Sequence, residues 1–161
     1  MGSYALERKE RLDALGIQPN IGPIKKKKIS VTEKGVNYKV ETDETYISVV
    51  YPIDGVAIKE GLRCDKFITI LSGDTGKAIF LELKGRDIIH AINQLESTIK
   101  HPLFLPYPSR ADKTIARIVS SRGVASASRL DFESAKVRFL KNYNVELKQL
   151  SSMQPDKKIS F

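Results

Sequence analysis

Ala78-Ile79-Phe80-Leu81-Glu82-Leu83-Lys84-Gly85 is an apolar stretch that ends in two opposite charges. It reads as a β-strand. Period-two alternation puts Glu82 and Lys84 on one face, with Cα atoms about 6.5–7 Å apart. Arg63 to Leu71 reads as a preceding strand and carries Asp65, with Ser72-Gly73-Asp74-Thr75 between the two. If Gly73-Asp74 is a two-residue hairpin turn, Ser72 pairs with Thr75, Phe67 faces Phe80 and Asp65 faces Glu82. Opposed Cβ atoms then lie ~4.5–5.5 Å apart, and two carboxylates at that spacing repel unless a cation sits between them. A longer turn that includes Gly76 shifts the register, and a shift by one residue breaks the pairing. In the favourable register the oxygens suit a hard divalent cation. Such an ion polarises a phosphoryl oxygen and lowers the pKa of its water. Lys84 would orient or help deprotonate that water and stabilise developing negative charge.

A bare Glu-x-Lys is a poor signal. Glu7-Arg8-Lys9 and Glu146-Leu147-Lys148 also fit, and Asp156-Lys157-Lys158 fits the aspartate form. Glu7 lies on a charged helical stretch and Asp156 in a polar tail. Glu146 is in a strand-like stretch, but its nearest upstream acids, Asp131 and Glu133, read as helical. Glu82 alone combines an upstream Asp strand, a hairpin, a following glycine and a helix bearing Gln94.

Asp65, sixteen intervening residues, Glu82-Leu83-Lys84, Gly85 and the helix with Gln94 resemble the PD-(D/E)XK nuclease superfamily. The likeness covers Arg63 to Ile99 by motif and reaches Leu150 by element order. It implies a restriction-endonuclease-like fold: an α/β mixed sheet flanked by helices, here with an N-terminal β-meander. It implies Asp65 and Glu82 as ligands of Mg²⁺, for which Mn²⁺ may substitute, with the backbone carbonyl of Leu83 completing the site. Lys84 would be the catalytic lysine, and Gln94 would support the site. Glu60, and Glu7 or Glu10 on the first helix, stand as auxiliary acids. The family's Pro-Asp is Cys64-Asp65 here, which leaves the branch open between resolvase, restriction-type, repair, transposon-end and toxin nucleases.

The elements that must position these residues follow from pattern. Tyr4 to Leu15 predicts a surface helix ended by Gly16, and Gln18 to Pro23 a loop. Ile29–Val31, Asn37–Glu41 and Tyr46–Tyr51 predict short strands, with turns at Lys34-Gly35 and Thr42-Asp43-Glu44. Asp87 to Lys100 predicts a helix with Asp87 as N-cap, because Ile88, Ile92, Leu95 and Ile99 share a face. His101-Pro102 ends it, and His101 favours the helix macrodipole there. Lys113–Ser120 predicts a strand, Asp131–Tyr143 a helix capped by Asp131, and Val145–Leu150 a last strand. The tail from Ser151 is polar and is expected to be loose, although Ile159 and Phe161 could dock. The whole of 1–161 reads as one domain, with 1–22 a helix and loop and 151–161 the tail.

The chain has 161 residues and a net charge of +8. Residues 1–30 carry +4, 31–60 carry −3, 61–100 carry +1 and 101–161 carry +6. Basic ends flanking a near-neutral middle point to an anionic partner, with nucleic acid first. Lys25, Lys26, Lys27 and Lys28 read either as an edge strand on which lysines discourage pairing or as a phosphate-contacting arm. Arg110, Lys113, Arg117 and Arg122 form a basic stretch suited to phosphate contacts, or else a solvated loop. One cysteine excludes a disulfide framework, and two histidines argue against a multi-His metal site. Cys64 reads as a buried apolar residue facing away from Asp65, and His90 as a surface or core-rim residue. No apolar run approaches ~18 residues, and no secretory segment is read at the start, so a cytoplasmic protein is expected. The expected function is Mg²⁺-dependent hydrolysis of phosphodiester bonds in DNA, structure-selective or nonspecific, with a homodimer where two strands are cut. RNA stays open as a substrate. The alternatives are a non-catalytic nucleic-acid-binding module or degenerate nuclease-fold subunit, and a basic toxin or its partner in bacterial competition.

Overall fold

The structure, a computed structural model, describes residues 3–33, 35–83, 87–121, 128–152 and 154–159, with backbone alone for 157–159. Helix α1 (Tyr4–Ala14) starts where the Ser3 side chain accepts from the Leu6 amide, and Gly16 at φ +78° ends it. Strands β1 (Ile21–Glu33) and β2 (Val36–Pro52) form one long antiparallel hairpin in place of three short strands. The expected loop at Gln18–Pro23 is shorter for the same reason, since β1 already begins at Ile21. Thr42-Asp43-Glu44, read as a turn, lies inside β2. The irregularity is taken up by a register shift between the pairs Lys26–Tyr46 and Lys28–Glu41. There the Thr42 hydroxyl donates to the Glu44 carbonyl at 2.6 Å and the Tyr46 hydroxyl to Asp43 at 2.8 Å.

Strands β3 (Lys66–Ser72) and β4 (Thr75–Leu83) follow as the central hairpin. Ser72 pairs with Thr75 and Phe67 with Phe80, the register that the two-residue turn requires. Gly73 supplies the positive φ, +62°, that this turn needs. Helix α2 (Ile88–Ile99) is capped by Asp87, whose carboxylate accepts from the His90 amide, and its buried face carries Ile88, Ile92, Leu95 and Ile99. His101 caps a short 3-10 turn at Pro102–Phe104, its Nδ1 accepting from the Leu103 amide at 3.1 Å. That local bond is its observed role at the helix end. Strand β5 (Thr114–Ser120), helix α3 (Arg129–Tyr143) and strand β6 (Val145–Ser151) complete the expected order. Asp131 sits in the first turn of α3, and Ser128 occupies the N-cap position that the sequence suggested for Asp131. The tail is not loose throughout: Asp156–Ile159 forms β7 and runs parallel to β2.

The strands form one mixed sheet, ordered β1-β2-β3-β4-β5-β6, with β7 beside β2. β1 to β4 meander antiparallel, whereas β4, β5 and β6 are parallel and joined through helices. Alternation along the strands divides the interior in two. On one face Phe67, Ala78, Phe80, Ala116 and Ile118 pack with residues from all three helices. The rings of Phe67, Phe80 and Phe104 meet there with centroids 4.9–5.1 Å apart. On the other face Ile68, Ile70, Ile79 and Leu81 pack with Ile29, Val31, Val36, Tyr38 and Val40 of the long hairpin, which covers that side in place of a helix. No helix among the described residues is long and apolar enough to cross a membrane.

Candidate functional site

The last ladder pair of the central hairpin joins Lys66 to Leu81, so the next position sets Asp65 against Glu82. The chain is tied down at this point. The Asp65 amide donates to the Leu81 carbonyl at 3.1 Å and to Glu82 Oε1 at 3.1 Å. The Leu83 amide donates to Asp65 Oδ2 at 2.7 Å. Each carboxylate thus accepts a backbone amide from the other's strand. On the far side, the Ile53 amide donates to the Asp65 carbonyl at 3.0 Å. Asp65 is 7% exposed and Glu82 1%. The pair stands where β4 ends beside the parallel β5, the edge at which α/β sheets open crevices to ligands.

Helix α2 holds the segment just before Asp65. Gln94 Nε2 donates to the Arg63 carbonyl at 3.2 Å. One turn later, Thr98 Oγ1 accepts from the Cys64 amide at 2.7 Å and donates to the Gln94 carbonyl at 2.8 Å. These side-chain bonds replace ladder bonds at Arg63 and Cys64, which is why β3 starts at Lys66 and not at Arg63. Gln94 therefore meets the site through backbone that leads into Asp65. Thr98 performs the same task and escaped the sequence reading. The available signal was its position four residues after Gln94 on the same helix face.

Cys64 is fully buried in the helix-side core with Phe67 and Phe80. Burial pushes its thiol well above the usual range, and the nearby Glu82 and Asp65 push it further, while a bond from Thr98 works the other way. The burial is as the sequence suggested. The strict alternation expected across Cys64 and Asp65 does not apply, because both precede the strand.

The other expected residues are spread out. Glu60 is exposed in the loop between β2 and β3, and Glu10 is exposed on α1. Glu7 is also exposed and lies 3.7 Å from the Arg8 guanidinium. Among the described residues no group of three or more His, Cys, Asp or Glu side chains is arranged to hold a metal ion. The auxiliary acids therefore do not join Asp65 and Glu82 in such a group. Lys25, Lys26, Lys27 and Lys28 are all exposed on β1, which forms the edge of the sheet. Arg110 is exposed in a 3-10 turn at Arg110–Asp112, and Lys113 follows it exposed at φ +49°. Arg117 departs from the exposed basic stretch: it is 5% exposed, with Nε 2.8 Å from Asp156 and a second nitrogen 3.2 Å from Glu146. Its odd-numbered place on β5 points it into the hairpin-covered core, away from a phosphate backbone. Lys84 and Arg122 lie outside the described residues.

The chain has no match among protein-family models, curated proteins or solved structures.

Proposed function

We propose that the chain is a Mg²⁺-dependent deoxyribonuclease of the PD-(D/E)XK type, with a restriction-endonuclease-like fold. The observation that carries this reading is the meeting of Asp65 and Glu82 across the hairpin, each fixed by a backbone amide. Two carboxylates with the Leu83 carbonyl make an all-oxygen donor set, which fits a hard divalent cation better than a soft one. An ionised carboxylate has about four lone-pair sites, so accepting one amide does not exhaust it. The cation, when bound, supplies Lewis-acid polarisation of a phosphoryl oxygen and a more acidic water. Asp65 and Glu82 would hold it, and Lys84 would orient the attacking water and stabilise charge on the phosphate. Gln94 acts on these groups by fixing the backbone at Arg63. The net charge of +8 favours a polyanionic substrate. The reading includes DNA as substrate, a homodimer where both strands are cut and a cytoplasmic setting.

Incubation of supercoiled plasmid and branched DNA with Mg²⁺, Mn²⁺ or EDTA tests it. Cutting is expected with either metal and not with EDTA. Lys84→Ala and Glu82→Gln are each expected to lose at least ~100-fold in rate. Cutting that survives both EDTA and Lys84→Ala would overturn the mechanism. The reciprocal amide bonds, with Glu82 only 1% exposed, also suit a carboxylate pair that merely closes the end of the hairpin. Binding of DNA without cutting would favour that second reading, a non-catalytic nucleic-acid-binding module.

A further inference from the structure

A cavity of about 410 Å³ opens at the other end of the sheet, where β5 and β6 begin. Its lining includes Lys77, Arg110, Lys113, Arg117 and Lys148 against two carboxylates, Glu146 and Asp156. Arg117 is ion-paired with both of those acids. Arg110, Lys113 and Lys148 have no ion-pair partner among the described residues. The C-terminal end of α3 also reaches the cavity through Leu140 and Asn144. It contributes about half a negative charge, against a net of three positive charges on the lining side chains.

The backbone at the cavity adds a second observation. Lys113, part of the lining, takes a left-handed backbone at φ +49°, a conformation that lysine adopts at a cost and that clusters at ligand sites. Burial, and then the neighbouring Lys113, hold the Lys77 ammonium below its usual range, with Glu146 opposing.

We propose that this cavity binds a phosphate ester of about nucleotide size, seated among Arg110, Lys113 and Lys148. The volume falls in the range of ~300–1,000 Å³ typical of small-molecule sites. Ile115 and Leu140 supply an apolar wall for the rest of the ligand. Lys77 and Glu82 are separated by about 17 Å along β4, so the site does not depend on the nuclease reading.

Calorimetric titration of the full chain in EDTA tests the proposal, with adenosine 5′-monophosphate, inorganic phosphate and a thymidine hexanucleotide lacking terminal phosphate as probes. Saturable binding of the monophosphate is expected with a dissociation constant below about 1 mM. Lys113→Ala and Lys148→Ala are each expected to weaken it about tenfold. If the hexanucleotide binds and the same two variants weaken it, the phosphate belongs to a nucleic-acid strand. If the monophosphate alone binds, it belongs to a free nucleotide. No saturable binding by any probe would overturn the proposal, as would binding unchanged in both variants.

Discussion

Asp156→Ala strands two buried donors at once. Tyr38 Oη donates to Asp156 Oδ2 at 2.7 Å, and Arg117 Nε donates to the same oxygen at 2.8 Å. Tyr38 is fully buried, and Asp156 and Arg117 are each 5% exposed. Breaking a buried ion pair from one side costs ~3–5 kcal/mol, because the remaining charge is uncompensated. Arg117 keeps partial compensation here. It still donates to Glu146 Oε1 at 3.2 Å and to the carbonyls of Ala116 and Glu146. Its share therefore falls at the low end, about 3 kcal/mol. The Tyr38 hydroxyl, left buried without an acceptor, adds about 1 kcal/mol or more. A loss near 4 kcal/mol is a large part of the ~5–15 kcal/mol that holds a domain together. At this chain length it lowers the thermal midpoint by about 8–16 °C. The chain has no tryptophan, so far-ultraviolet circular dichroism in a urea series is the suitable assay. The triple variant Tyr38→Phe, Arg117→Met, Asp156→Leu removes the three buried polar side chains together, leaving only the exposed Glu146, and is expected to recover most of the loss. A loss below about 1 kcal/mol in Asp156→Ala with an unchanged urea slope would refute the claim that this cluster pins β7 to the sheet.

Thr98→Val removes the acceptor of the buried Cys64 amide. It is expected to cost ~1–3 kcal/mol by urea unfolding and to lower DNA cleavage, with both restored by Thr98→Ser; full stability in the valine variant would refute the role. Cys64, with its thiol pushed above the usual range by burial and then by Glu82 and Asp65, is expected to resist thiol reagents at pH 8 until the chain unfolds. Prompt stoichiometric labelling of the native protein would contradict this. Burial holds the hydroxyls of Tyr4, Tyr38 and Tyr51 above the usual tyrosine range. A group whose folded pKa is raised contributes stability below its unfolded pKa, here about 10, and that stability is lost as pH rises through the folded pKa. Tyrosinate absorbance at 295 nm is therefore expected to rise for these residues together with alkaline unfolding. Their ionisation near pH 10 in a folded chain would rule out the burial.

The hairpin that carries Asp65 and Glu82 was legible because its controls are local. A two-residue turn with glycine fixes the register, and one pair, Ser72–Thr75, determines every other pair down to Phe67–Phe80. Helix α2 was legible for the same reason: a cap at Asp87 and an apolar face at helical spacing lie within fourteen consecutive residues. What stayed hidden depends on partners far along the chain. Asp156 looks like part of a polar tail until Tyr38 and Arg117, 118 and 39 residues away, turn it inward. Arg117 looked like one member of an exposed basic run for the same reason. β2 looked broken at Thr42-Asp43-Glu44 because those residues favour turns, and only the register shift against β1, where the extra residues bulge out of β2, shows how the strand passes through them. The α3 pattern was muted because Leu130, Val137 and Leu140 are exposed, while Phe132, Ala135, Phe139 and Tyr143 form the buried face.

The net charge hides a separation with consequences for both proposed sites. The lysines of β1 stand on an edge strand, Arg117 is paired inside, and Arg110, Lys113 and Lys148 border the cavity. About 17 Å of β4 separates Lys77 from Glu82, roughly twice the Debye length of ~8 Å at physiological salt. Exposed charges at that spacing scarcely interact. The groups that do bear on the carboxylates of Asp65 and Glu82 include the amides of Leu83 and Asp65, at 2.7 and 3.1 Å. Such short, buried bonds are little affected by ionic strength, whereas attraction between exposed lysines and a phosphate falls as salt rises. Salt should accordingly weaken binding at the basic end of the sheet while leaving the geometry of the acidic end intact.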